Sequence, residues 1–520
     1  MKKWTAWLVI IFACSLVINI LYACKESSRN KSHASVPDVN IREGKRLAEK
    51  YCQSCHLLPD PSQLDARSWE RGVLPHMGPY LGIFAFGFER YPSGRRDPNL
   101  PNDFYPKKPV VQSQEWQYII DYYTSLSPDT LPGQSRDQEI SMDLALFQVE
   151  TPRLKIPSPA LSLVKISGEK IIGGDFSTQR LYSFDKGLRQ TDSFAFAGTV
   201  VGLERQLNRQ LVCNIGNINP NNGSSGSLQS IVMPGNKSTS NASLIVDSLK
   251  RPVDFVVADV NKDGRDDYVI CEFGFTIGQL SWVENTGTGY KKHIIKALPG
   301  AARVITDDYN RDGLADLWVL FAQGNEGIFL FTNEGEGRFR EQQVLKFPPV
   351  YGSTHFELID FNKDGFKDIV YACGDNADFS RVLKNYHGIY IFVNDGQNTF
   401  SQKFFFPING CYKSISKDFD NDGDLDIATI SFFADYINQP EEGFVYLENK
   451  GDFKFAPFSV EATQRGHWLT MDAGDVDGDS RIDIVLGNFT YGPSMFPSAY
   501  NWKNGPPFML LRNIGNKKRE

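Results

Sequence analysis

The chain has 520 residues, with 62 acidic against 55 basic side chains, a formal net charge of -7 and an isoelectric point near 5.7. Hydrophobic residues make up 41% and charged residues 22% of it, which excludes a disordered chain and a multi-span membrane protein, and the length calls for more than one compact unit. No basic stripe is present to hold phosphate backbones, so nucleic acid is excluded as a partner.

The chain opens with Lys2 and Lys3, an apolar run from Trp4 to Ile20, then Leu21-Tyr22-Ala23-Cys24 and an abrupt polar stretch from Lys25 to Ser35. A charged start, an apolar middle and a small residue before the break have the layout of a secretory signal over residues 1–23. An uncleaved membrane anchor is the alternative for a run of this length. Ala23-Cys24 resembles the lipobox of bacterial lipoproteins, which implies lipidation at Cys24 and a flexible tether over 24–39. Both readings place the rest of the chain outside the inner membrane. The absence of Asp after Cys24 implies an outer-membrane lipoprotein, on the periplasmic side or at the cell surface.

Residues Val39 to Tyr51 carry apolar positions Ile41, Leu47, Ala48 and Tyr51, a spacing that predicts a helix. It runs straight into Cys52-Gln53-Ser54-Cys55-His56. Two thiols one turn apart add to the two vinyl groups of a haem, and the adjacent imidazole ligates its iron from one face. A redox dithiol or half of a zinc site would also use C-x-x-C, but the following His, the export signal and the lack of a second C-x-x-C argue against both.

Residues 40–130 resemble a class I cytochrome c, an all-α domain with one covalent haem. That resemblance implies a sixth iron ligand downstream. Met77, in Leu74-Pro75-His76-Met77-Gly78, is the choice, with His76 as the alternative. A helix over Gln114 to Tyr123 closes the unit against the first, and Tyr80 to Val111 reads as an insertion near the haem edge.

After a linker over 131–144, a fragment recurs about every 50 residues through 145–520, the mark of a repeat array. Its copies place oxygen-bearing side chains at positions one, three, five and nine of a loop and count on the backbone carbonyl at seven. They are Asp259, Asn261, Asp263, Arg265 and Asp267; Asp308, Asn310, Asp312, Leu314 and Asp316; Asp360, Asn362, Asp364, Phe366 and Asp368. The fourth and fifth are Asp418, Asp420, Asp422, Asp424 and Asp426, then Asp475, Asp477, Asp479, Arg481 and Asp483, where Ser480 replaces the Gly at position six. Side-chain oxygens at one, three, five and nine and a backbone carbonyl at seven can wrap a calcium ion, while Gly at six allows the sharp turn. Flanking strand-like runs reject an EF-hand.

Each loop is followed by an aromatic strand ending in Asn-x-Gly, such as Trp282 to Gly287, whose Asn and Gly are expected to supply positive φ angles for a hairpin. The unit is then four strands, a propeller blade. The pattern resembles the FG-GAP and VCBS repeat families, and with degenerate units near Ile171 to Phe176 and Leu211 to Gly216 it implies an all-β propeller of seven blades. Leu146 to Glu150 should complete the last blade. Cys213, Cys271, Cys373 and Cys411 sit in apolar runs and read as buried free thiols.

One haem moves single electrons, and calcium fixes blades, so further function falls to the propeller faces. Arg303, His355 and Lys413 stand five residues before three of the loops, and His467 and Trp468 precede the fifth; Glu272, Gln323, Asp375 and Asn488 follow loops and could gather near the central channel. The leading reading is an electron-transfer lipoprotein whose propeller binds a redox partner protein, a glycan or a small ligand. An oxidoreductase passing electrons from a sugar or alcohol to the haem is the alternative, although no nucleotide-binding motif accompanies it. A surface adhesion or uptake component is a third.

Overall fold

A computed structural model describes residues 35–84, 97–206, 209–232, 241–377, 379–491 and 500–515; the leader, Cys24 and most of the expected tether lie outside them. Among the described residues no helix is long and apolar enough to cross a membrane. Two parts follow one another: a helical N-terminal module and seven four-stranded sheets.

In the module, α1 (Asp38–Tyr51) begins inside the stretch expected to be tether and buries Ile41, Gly44, Leu47 and Ala48, one face of the helix. A short helical run follows, Ala66–Ser68, a π turn over Trp69–Val73 and Leu74–Met77. The closing helix α2, Ser113–Leu126, extends the expected one at both ends and buries Trp116, Ile119, Tyr122 and Tyr123 against α1. The two helices cross at Gly44. A Cβ there would lie 1.9 Å from the Tyr118 carbonyl oxygen and 2.8 Å from Tyr122 Cβ, so only a residue without a side chain allows this approach.

The seven sheets are antiparallel. Blades I and II run Leu161–Ile166, Lys170–Asp175, Arg180–Asp185, Gln190–Ala195, then Val200–Gln206, Arg209–Asn214, Gly226–Val232, Asn241–Leu249. Blades III to VI span Pro252–Lys296, Ala301–Lys346, Ser353–Pro407 and Cys411–Phe458. Blade VII takes Trp468–Gly474, Asp483–Asn488 and Phe508–Asn513 from the end of the chain, and its outer strand from the start of the repeat region: Phe147–Glu150 pairs with Phe508–Asn513 in antiparallel register, Phe147 opposite Asn513. A strand from each end of the repeat region therefore closes the ring. Arg512 clamps that seam, donating to both carboxylate oxygens of Glu150 at 2.9 and 3.1 Å and to Asp477 at 2.7 Å.

The first strands of successive blades touch one another, and side chains staple them to their neighbours. Val304 N–H of blade IV donates to Asp254 of blade III at 3.1 Å; Ser416 N–H of blade VI donates to Glu357 of blade V at 2.8 Å; Ile166 N–H of blade I donates to Asp472 of blade VII at 2.8 Å. Cys213, Cys271, Cys373 and Cys411 are buried and unoxidised, as their apolar strands indicated. The linker is no free spacer. Ser141 exchanges backbone hydrogen bonds with Pro457 and Ser459 of blade VI, and Arg136 pairs with the buried Glu442 at 2.7 Å.

The module docks on blade V. Between its second and third strands that blade inserts residues 374–387, whose Val382 and Tyr386, with Val350 and Tyr351, join the module's own apolar core. Tyr386 donates its hydroxyl proton to the Gln63 carbonyl at 3.0 Å. His76 stacks on Phe379, centroids 4.0 Å apart and planes 19° apart.

Two consequences can be measured. Gly44→Ala drives a methyl group into the Tyr118 carbonyl and should cost about 2 kcal/mol or more of module stability, read as a lower urea midpoint by circular dichroism at 222 nm. Glu326, 1% exposed, accepts the Ser353 N–H of the next blade at 2.6 Å, and burial pushes its carboxyl up to about 8. A raised carboxyl stabilises the fold fully below its ordinary range and loses that contribution as pH rises through about 8. The wild-type melting temperature should therefore fall from pH 6 to 9 more than that of Glu326→Gln.

Candidate functional sites

The C-x-x-C-H segment sits where α1 ends. The Cys52 N–H still donates to the Ala48 carbonyl at 2.8 Å, so the first cysteine caps the helix and the rest turns away. Cys52 and Cys55 are both free thiols, the first half-buried in the module core and the second exposed. Burial, with Cys55 nearby, pushes the Cys52 thiol up to about 11. A redox dithiol needs the opposite shift.

His56 fits an iron ligand. Its Nδ1 donates to the Leu57 carbonyl at 2.7 Å, which leaves Nε2 as the lone-pair nitrogen, and burial lowers the ring's pKa so that it stays neutral. Met77 is half-buried in the same apolar cluster as Cys52, with Trp69, Leu74 and Trp116. His76 is spent elsewhere: its Nδ1 donates to the Gly72 carbonyl at 2.5 Å and its ring face lies on Phe379 of the propeller. Much of the expected insertion lies outside the described residues; at its near edge Tyr80, Phe104 and Tyr105 form an edge-to-face aromatic group.

The five loops share one geometry. In the first, Asp259 accepts the N–H groups of Asp263 and Gly264 at 3.0 and 2.8 Å, Asn261 accepts Asp263 N–H at 3.2 Å, and Asp263 accepts Arg265 N–H at 3.0 Å. The same bonds recur from Asp308, Asp360, Asp418 and Asp475. Side chains at one, three and five are thus turned into one cup, and the backbone at position four is left-handed at Lys262, Arg311, Lys363 and Asn421. The fifth loop solves the same problem in reverse: Gly478 takes position four at φ 86° and Ser480 takes position six at φ 68°.

Position nine differs from the rest. Asp267, Asp316, Asp368, Asp426 and Asp483 are at most 1% exposed. Each accepts a backbone N–H from position two of its own loop and one from the Asn ending the third strand, at 3.2 and 2.7 Å for Asp267, and Asp368 takes a third from Asn362 at 3.4 Å. Those Asn residues act by hydrogen bonding rather than by positive φ. Asn333 accepts the Gly335 N–H at 2.9 Å and donates to Val260 of the preceding blade at 2.8 Å, while the positive φ falls on the residues after it, 87° at Gly335 and 55° at Glu336.

Burial raises the carboxyls at position nine, Asp426 to about 7 and Asp483 to about 6. In the fourth and fifth loops, Asp418, Asp420 and Asp426, and Asp475, Asp477 and Asp483, bring one oxygen each within 4.8 Å of one another. The other three loops carry Asn at position three, whose amide donates to the position-five carboxylate, at 3.0 Å for Asn261. In the first and fifth, Arg265 and Arg481 fold back on Asp263 and Asp479.

Of the expected face residues, Arg303, His355 and Lys413 do come together, each directly after the register irregularity of its first strand. Asp254 holds the same place in blade III and was missed; its signal was the same five-residue offset from the loop. His467 is not with them. It is sandwiched between Phe432 and Trp502, at 3.9 and 4.5 Å, with its ring nitrogens on the Phe432 and Phe489 carbonyls at 2.7 and 3.0 Å. Trp468 is buried in the core between blades VI and VII. Glu272 is spent on Lys250 N–H, Gln279 and Ser281 within its own blade, and Asn488 on His467 N–H and the Trp502 and Pro506 carbonyls.

Comparison with known proteins agrees with the repeats. The FG-GAP-like repeat profile matches residues 259–319, 308–371 and 418–486. Human cartilage acidic protein 1 is 30% identical over 190 residues, 34% of this chain and 26% of that protein, so the chain spans about a quarter of its relative's length. Among solved structures, an ancestral GH74 enzyme aligns at TM-score 0.45 and 10% identity over 68% of this chain and 48% of that one. The N-terminal domain of Nup159 aligns at TM-score 0.42 and 12% identity over 73% and 99%. The chain carries FG-GAP-like repeats folded as a seven-bladed β-propeller.

Proposed function

We propose that this chain is an exported, lipid-anchored electron carrier, with one haem c on its helical module and calcium ions in its propeller loops, and that the propeller binds a partner or ligand. The observation that carries the haem reading is the placement of Cys52-x-x-Cys55-His56 at the end of a helix packed through Gly44 on α2, with Met77 in the same apolar cluster. Cys52 and Cys55 would hold the porphyrin, His56 Nε2 and Met77 Sδ the iron. The group would supply one-electron chemistry. The chain's own residues hold His56 in one tautomer, keep His76 occupied at the propeller and exclude water from the Met77 side with Trp69, Leu74 and Trp116.

For the loops the supporting observation is the repeated acidic cup, closest in the fourth and fifth, where three carboxylates converge. Oxygen-only donors drawn from side chains and a backbone carbonyl suit calcium over magnesium, which keeps its waters. The ion would be held by positions one, three, five and nine and the carbonyl at seven. Export and lipidation at Cys24 rest on the leader sequence.

Protein expressed with haem-maturation machinery should show a reduced α-band and, oxidised, a weak band near ~695 nm from thioether ligation. Met77→Ala should abolish the latter and His76→Ala should keep it; a spectrum without covalent haem removes the electron-carrier reading. Chelation by EGTA should lower the propeller's melting temperature by about 10 °C or more, restored by calcium and not by magnesium. Asp475→Ala together with Asp418→Ala should remove roughly the two convergent sites from a calcium titration.

A further inference from the structure

The first strands of blades III to VI put a titratable residue at one register position: Asp254, Arg303, His355 and Lys413, each directly after a break in pairing with the second strand. Because first strands of adjacent blades touch, these four lie at one level of the central channel. The blades that flank them offer Leu163, Gly202 and Thr470 there, none of them charged.

Asp254, Glu357 and Asp472 lie near enough to act on Arg303 and Lys413, so it is unspent hydrogen-bond donors rather than net charge that mark this level. The carboxylates are committed to neighbouring strands, Asp254 to Val304 N–H at 3.1 Å and, two residues further along blade V, Glu357 to Ser414 and Ser416. Among the described residues no carboxylate stands within ion-pair distance of the Arg303 guanidinium or the Lys413 ammonium, and Arg303 Nε is buried without a partner. His355 is 6% exposed, and neither of its ring nitrogens meets a hydrogen-bond partner. A buried imidazole with both nitrogens orphaned is a costly arrangement unless something else is bound there. Burial, then the neighbouring Arg303, brings the Lys413 ammonium down to about 8, and burial with both cations keeps His355 neutral. Two cations and a neutral imidazole N–H therefore face a common space in which the chain's own carboxylates, Asp254, Glu357 and Asp472, are taken by backbone N–H and hydroxyl groups rather than by these donors.

We propose that the central channel binds a small oxyanion, carried by a carboxylate or a tetrahedral group, between the Arg303 guanidinium, the Lys413 ammonium and a ring N–H of His355. A guanidinium fork takes two oxygens of such a group side by side, and the ammonium and imidazole complete the donor set. The site is separate from the helical module and from the repeat loops, so it stands whether or not those hold haem and calcium.

Isothermal titration of the full-length protein at pH 7 with sodium sulfate and, separately, sodium succinate tests it, at fixed ionic strength in sodium chloride and with calcium present. A saturable one-to-one isotherm with one of the two probes is expected, sulfate marking a tetrahedral and succinate a carboxylate ligand. Arg303→Gln should weaken it at least about tenfold, and Lys413→Arg should hold it within about threefold. If Arg303→Gln fails to fold, Lys413→Gln takes its place. Absence of a saturable isotherm with both probes in the wild type, or an isotherm that the charge-removing variant leaves unchanged, overturns the proposal.

Discussion

A carboxylate buried at the ninth position of each repeat loop is the bond on which this architecture turns. Asp267, Asp316, Asp368, Asp426 and Asp483 each hold at least two backbone N–H groups, one from the loop and one from the Asn closing the third strand. Burying an ionised carboxylate costs several kcal/mol unless it is paired. Two backbone donors offset part of that cost, and a cation in the acidic cup would offset more. The loop, the second strand and the third strand are thereby tied at a single atom pair in every repeat, and the Asn extends the tie to the preceding blade, as Asn333 does to Val260 and Asn513 to Phe419.

That tie acts within blades and between neighbours, but a ring also has to close. Closure uses the strand Phe147–Glu150, delivered by a linker that lies along blade VI, and the Arg512 clamp. Because the linker is fixed, the helical module at its far end is held over blade V, where His76 and Tyr386 make the contact. The consequence is geometric: the module, and with it the proposed haem, sits at a set position on the propeller rather than on a swinging arm.

Much of this was legible from the chain. The loops repeat at fixed spacing because the cup needs a donor at every second residue, and the missing outer strand of the last blade pointed back to residues 146–150. The helical pair was legible from its apolar stripe. What stayed hidden depended on distance in sequence. Gly44 looks like any helix glycine until the Tyr118 carbonyl is opposite it. His76 and Met77 are neighbours in sequence, and that His76 stacks on Phe379 of the propeller was not legible from either. Asp254 shares the offset of Arg303, His355 and Lys413, but an acid before an acidic loop does not stand out. His467, by contrast, has the look of a channel residue and is enclosed by Phe432 and Trp502, one of them thirty-five residues from it in either direction.

We propose a covalent prosthetic group on the helical module and calcium ions bracing the propeller. Intact-mass spectrometry of the protein produced with haem-maturation machinery tests it most directly, beside a Cys52→Ala, Cys55→Ala double variant. One added haem mass is expected on the wild type and none on the variant, with both retaining the propeller's strand signature by circular dichroism. An unmodified wild-type mass, with both cysteines free to react with an alkylating agent, would contradict it.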